Sequence, residues 1–161
     1  MQRTFDEIMT YRHPSLILRL QNKLGWSADR ADNAFQDMKR FLYLCAKHPN
    51  ETFAPPEVID DCWHEFILFT LDYFTFCKDY LGRFIHHRPQ TPNGSVDKTV
   101  IPRTVNAARA EFGGDLSTIW NFGDFKVDAV GNNHECDKCA GSTNCQSVSF
   151  VLEDHPSAKH S

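Results

Sequence analysis

The sequence predicts a mainly α-helical, bundle-like single domain, and three observations support this fold class. The chain has 161 residues, which is enough to bury a hydrophobic core in one domain. Hydrophobic residues make up 41% and charged residues 24%, a balance typical of folded globular proteins. Apolar residues recur at spacings of three and four over most of the first 112 positions, which is the period of amphipathic helices.

The predicted domain has three parts along the chain. Residues 1–124 are expected to form the helical domain. Residues 125–152 are expected to form a small Cys-rich metal knuckle that packs on the helices and could include a short β-hairpin. Residues 153–161 read as a flexible, solvated tail.

The first two predicted helices have clear start and stop signals. Pro14 suits a first helical position, and Gly25 suits the end of that helix after four apolar residues in helical register. Ser27 is a good N-cap for the second helix, which the apolar period carries to about Lys47.

The segment from Pro56 to Leu81 has the strongest helical pattern. The apolar phase continues through the whole segment, which predicts one long helix that ends at Gly82. On a helical wheel the polar residues occupy the arc opposite the predicted core: Glu57, Asp60, Asp61, His64, Glu65 and Asp72. The core arc comprises Val58, Ile59, Cys62, Trp63, Phe66, Ile67, Phe69, Thr70, Tyr73, Phe74, Phe76, Cys77, Tyr80 and Leu81.

The remaining elements are shorter. Residues Thr104–Phe112 read as another helix, and Leu116–Trp120 as a helical turn. Two β-like segments, Phe125–Val130 and Gln146–Leu152, suggest short strands on either side of the Cys-rich stretch.

The C-terminal cysteines suggest a metal site. His134, Cys136, Cys139 and Cys145 offer the one nitrogen and three sulfur ligands of a tetrahedral zinc site, with His155 as an alternative fourth ligand. An iron–sulfur cluster is the competing interpretation, although such clusters usually take four cysteines. Unligated thiols or one disulfide would be the non-metal alternatives. By contrast, the cysteines within apolar helical patterns read as buried core residues: Cys45, Cys62 and Cys77.

A second cluster combines an acid with histidines. Asp60 and His64 lie four positions apart, and they would share one face of a helix at the border of its apolar arc. If the chain folds back after Gly82, His86 or His87 could join them in a two-histidine, one-carboxylate set that suits Fe²⁺ or a catalytic Zn²⁺. The structural alternative is a surface Asp–His pair and two histidines that interact with the preceding helix end.

The pattern around this cluster resembles a known family. Asp60-x-x-Trp63-His64, a later Phe76-Cys77 and Phe84-Ile-His-His-x-Pro89 are similar to the bacterial glycine-rich-domain-containing-protein-like family, over residues 54–89. The resemblance implies that Asp60, Trp63, His64, His86, His87 and Pro89 belong to one structural unit, and it implies no established reaction. The chain has only 8 Gly and carries Phe66 where a related plant motif has a second His, so a His-x-His pair is not transferred.

These observations predict a cytoplasmic metal-binding protein, with zinc as the expected metal. It would act as a binding or adaptor module for an unknown protein or small-molecule partner. A metal-dependent enzyme with an open Asp60/His64/His86/His87 site is the first alternative, and an iron–sulfur protein is the second. The net charge of −4 disfavours a nucleic-acid partner, and neither a membrane-spanning segment nor a signal peptide is expected. The sequence contains no evident motif for a nucleotide-binding glycine loop or for the nucleophile of a catalytic triad.

Overall fold

A computed structural model describes residues 2–88, 97, 99–113 and 116–120, and the backbone of residues 146–150. These residues form a mainly helical domain, which confirms the predicted fold class. The proposed knuckle ligands, the predicted strand at 125–130 and the tail lie outside the described residues. No helix in the described part of the chain is both long and apolar enough to cross a membrane.

The first helix, α1 (Phe5–Thr10), was not predicted from the sequence. Its start is a capping box, in which the Thr4 hydroxyl accepts from the Glu7 N–H and the Glu7 carboxylate accepts from the Thr4 N–H. Six residues are too few to show a helical period, so only this cap could have revealed the helix.

The next two helices follow their sequence signals. Helix α2 (Pro14–Leu24) begins at Pro14 and ends at Gly25, whose φ of 67° is the left-handed conformation that favours glycine. Helix α3 (Ala28–Lys47) begins after Ser27, whose hydroxyl accepts from the Arg30 N–H. Helix α3 lies at the centre of the fold and contacts α1, α2 and the later helices.

The prediction of one long helix over residues 56–81 is wrong. Helix α4 (Glu57–Ile67) ends at Leu68, and α5 (Thr70–Phe76) starts after Phe69, whose ψ of 65° interrupts the helical backbone. A π-helical turn, Cys77–Leu81, continues from α5. The apolar phase survives the break because both helices pack on the same core, so the period alone did not reveal it. After the break, Thr70 and Phe74 are exposed, although the wheel placed them in the core.

Two strands follow the helices. Strand β1 (Phe84–Arg88) pairs antiparallel with β2 (Gln146–Phe150), and His87 lies opposite Ser147. The predicted strand at Gln146–Leu152 is confirmed over its first five residues. Strand β1 was missed, because a turn was expected after Gly82.

The last described helices complete the packing around α3. Helix α6 (Val100–Phe112) begins four residues before the predicted Thr104, and a short 3₁₀ turn covers Thr118–Trp120. The Thr104 hydroxyl is buried, accepts from the Ala54 N–H and donates to the Val100 carbonyl. The three cysteines expected in the core are buried: Cys45, Cys62 and Cys77.

Candidate metal centre

Asp60 is a buried acid in the first turn of α4. The residue is only 3% exposed, although the wheel placed it on the polar arc opposite the core. Its carboxylate oxygens both face histidine nitrogens, one from β1 and one from α4 itself. A buried carboxylate needs such partners, since an unpaired charge in the interior is costly.

His87 is the strand histidine that reaches Asp60. Its Nε2 lies 2.9 Å from Oδ1 of Asp60, within hydrogen-bonding distance, and its side chain is 6% exposed. Side chains alternate along a strand, so His86 is on the opposite face, where its ring packs against Phe84 at 4.8 Å between centroids. The sequence left His86 and His87 as alternatives, and this alternation selects His87.

His64 completes a trio with Asp60 and His87, one turn after Asp60 on α4. Its Nδ1 is 3.4 Å from Oδ2 of Asp60, and its ring centroid is 4.2 Å from that of His87. The His64 side chain is 46% exposed, so the trio opens to solvent on this side. The predicted proximity of these residues is therefore present in the fold, although Asp60 is far more buried than the wheel indicated.

The spacing within the trio suits a metal ion. One ligand atom from each residue can be chosen so that all three lie within 4.8 Å of one another. Ligands at about 2.0–2.1 Å from a tetrahedral ion are roughly 3.3 Å apart, so only small side-chain movements would be needed. Within the described part of the chain, Asp60, His64 and His87 are the one group of three potential ligands with this spacing.

Acidic residues flank Asp60 on α4. Burial raises the pKa of Asp61, and the neighbouring carboxylates of Glu57 and Asp60 raise it further, against the smaller effects of His64 and Arg30. The electrostatic part of this increase comes from two carboxylates on the same helix as Asp61. A cation at the trio would reduce their repulsion.

An aromatic layer supports the trio from inside the fold. The rings of Trp63 and His87 pack against each other in a T-shaped arrangement, with 4.6 Å between centroids. The Trp63 Nε1–H donates to the Tyr73 hydroxyl at 3.0 Å, and that hydroxyl donates to the Ile85 carbonyl at 2.5 Å. Sequence reasoning treated Trp63 and Tyr73 as ordinary core, and the only available signal was the position of Trp63 directly before His64.

The comparisons with known proteins identify a family. The model of the UCP032817-like family matches residues 3–100, which is more than half of the chain. The chain belongs to the UCP032817-like family. No curated protein and no solved structure matches it.

Membership of the UCP032817-like family corrects the expected resemblance. The glycine-rich-domain-containing-protein-like assignment is wrong, because the matching family is a different one and its match extends well beyond the short pattern at residues 54–89. All three residues of the trio lie within the part that matches the UCP032817-like family. Of the residues expected to form one unit, Asp60, Trp63, His64 and His87 do so, whereas His86 faces away and Pro89 lies outside the described residues.

Proposed function

We propose that this protein binds a divalent transition-metal ion through Asp60, His64 and His87. The observation that carries the proposal is a buried carboxylate held between two imidazoles, one of which faces solvent. Two imidazoles and one carboxylate are a ligand set that suits Zn²⁺ or Fe²⁺. The trio comes from two elements that the fold brings together, since Asp60 and His87 are 27 positions apart.

The exposure of His64 favours an open metal centre. Three protein ligands leave at least one coordination position of a zinc ion, and more of an iron ion, for water or another molecule. Because His64 is 46% exposed, that position would face solvent rather than the core. This observation supports a metal-dependent enzyme as the second candidate function, beside a module that binds a partner through the ion.

A separate zinc ion at the knuckle is also part of the proposal. His134, Cys136, Cys139 and Cys145, with His155 as the alternative to His134, would form a closed site that stabilises the C-terminal segment. An iron–sulfur cluster there would instead give the protein visible absorption. We propose the cytoplasm as the compartment, where such thiols stay reduced.

The test is a metal titration that separates the two sites. Apo-protein is prepared anaerobically and titrated with Zn²⁺ and Co²⁺, for the wild type and the His64→Ala variant. The wild type should bind two equivalents, and His64→Ala should weaken one of them by at least about 100-fold, since a direct ligand contributes more than the supporting groups around it. The knuckle equivalent should be unchanged.

A matched control is His48→Ala. His48 is also a partly exposed histidine next to an acid, with its Nδ1 3.4 Å from a Glu51 oxygen, but it is not in the trio. Its replacement should leave both metal equivalents intact. Equal affinities in His64→Ala and wild type would show that the trio is only a hydrogen-bonded lock between α4 and β1.

A further inference from the structure

Tyr73 has a buried hydroxyl group between α4 and β1, the two elements that carry the trio. It lies on α5, and its side chain packs against Phe66 and Phe84. Its hydroxyl accepts from the Trp63 Nε1–H and donates to the Ile85 carbonyl, and the Cys77 thiol also lies within hydrogen-bonding reach of it. Burial raises the pKa of Tyr73 well above its ordinary value, so the hydroxyl remains a donor at neutral pH.

Each of these bonds joins Tyr73 to a residue that is close in sequence to a proposed metal ligand. Trp63 directly precedes His64 on α4, and its ring also contacts the imidazole of His87. Ile85 is two residues before His87, and in a strand this spacing places both side chains on one face. The Tyr73 hydroxyl therefore links α4 to β1 beside the point where Asp60 and His87 meet.

We propose that Tyr73 is a positioning residue that sets the separation of His87 from Asp60 and His64, and so the metal affinity of the trio. The inference rests on the proposed metal site and assigns to it a residue that lies outside its ligand set. Groups that orient ligands are often worth about 10–100-fold in metal affinity.

Removal of the hydroxyl has a specific physical consequence. In Tyr73→Phe the Trp63 N–H and the Ile85 carbonyl each lose a hydrogen-bond partner in a buried position, which is unfavourable if they stay unpaired. Because phenylalanine offers neither group a partner, the indole and the strand lose the bond that joins them in their present positions. The ring of His87 would then lose its fixed distance to Asp60.

Thr104→Val is the matched control for this variant. The Thr104 hydroxyl is equally buried and also accepts one hydrogen bond and donates one, and its partners, Ala54 and Val100, do not belong to the trio. Both variants remove one hydroxyl and its buried hydrogen bonds with little change of shape. A purely structural role of Tyr73 would make the two variants alike in every measurement.

The experiment measures Co²⁺ and Zn²⁺ affinity, the Co²⁺ absorption spectrum and urea unfolding for wild type, Tyr73→Phe and Thr104→Val. Both variants should lose stability. Only Tyr73→Phe should lower the affinity of the trio, by about 10–100-fold, and change the intensity of its Co²⁺ bands. Wild-type affinity and spectrum in a folded Tyr73→Phe protein would overturn the positioning role.

A measurement on the metal-free protein tests the positioning role of Tyr73 independently of metal binding. In apo-protein NMR is used to follow how fast the imidazole proton of His87 at its contact with Asp60 exchanges with water, and this exchange should accelerate by at least about tenfold in Tyr73→Phe but not in Thr104→Val. If the wild type binds no ion at the trio, the proposed function fails and this proton alone decides the role of Tyr73. If Tyr73→Phe does not fold, Trp63→Phe breaks the same link from the other side, and an unchanged proton there would overturn the proposal.

Discussion

Two histidine–aspartate pairs in this protein have the same contact, a histidine Nε2 close to an aspartate oxygen, but only one of them belongs to a candidate metal site. His13 lies at the start of α2, and its Nε2 is 3.1 Å from Oδ2 of Asp72. Its Nδ1 accepts from the Leu16 N–H at 2.9 Å, so the ring caps the helix. His87 makes a comparable bond to Asp60, but a second imidazole, His64, lies on the other side of that carboxylate.

The difference shows what turns a hydrogen-bonded pair into a candidate metal site. Both nitrogens of His13 have partners, and the Asp72 side chain is 53% exposed, so water competes for the carboxylate. The Asp60 side chain is 5% exposed and lies between two rings. Convergence of three ligands on a buried carboxylate, rather than the pairing itself, is the informative feature.

The largest expected effect comes from replacing the two aspartates. Asp60→Asn should reduce metal affinity at the trio by more than about 100-fold, because it removes a direct anionic ligand. Asp72→Asn should leave metal affinity unchanged and alter stability by less than about 1 kcal/mol, as expected for a half-exposed pair. Isothermal titration with Zn²⁺ measures both variants, and equal losses would remove the distinction between the pairs.

The next effect concerns stability. His13→Ala should lower the free energy of unfolding by about 2 kcal/mol, since it removes an N-cap and the packing of a buried ring. His13→Asn should recover part of this loss, because asparagine also caps helices well. Urea unfolding measures the change, and unchanged metal binding in both variants is expected. A loss of metal affinity in His13→Ala would mean that the cap and the trio are coupled.

Lys39 is a second polar side chain that binds backbone groups at a helix end. Its side chain is fully buried, and its Nζ donates to the carbonyls of Met9 and Tyr11 at the end of α1. Burial, with a smaller contribution from the charge of Arg12, lowers its pKa from an ordinary value of 10.5 to about 8. The group is therefore like His13, a polar side chain used at a helix end.

The smallest expected effect is the pH dependence due to Lys39. Its pKa is lower in the folded state, so between these two values the unfolded state binds more protons and stability rises with pH. Lys39 should add about 1 kcal/mol of stability between about pH 8 and 9, the first part of this range. Urea unfolding of wild type and Lys39→Met at several pH values isolates this contribution, and parallel pH profiles would contradict it.

Much of the fold could be predicted because its signals are local. Ser27 and Pro14 mark helix starts through interactions within one turn, and the apolar period marks the faces that pack on the core. The break at Leu68–Phe69 could not be predicted in this way, because the residues on both sides keep the same apolar phase. The residues of the candidate site were predicted as a set. The burial of Asp60 and the choice of His87 over His86 were not predicted.

The sequence by itself determined the helical class, the capped helices and the neighbourhood of Asp60 and His64 on one helix face. These features depend on contacts between residues a few positions apart. Only the tertiary structure decided that Asp60 is buried, that His87 rather than His86 reaches it, and that Tyr73 links the two elements. Those outcomes depend on how β1 docks against α4 and α5, a contact between distant segments whose geometry no local pattern encodes.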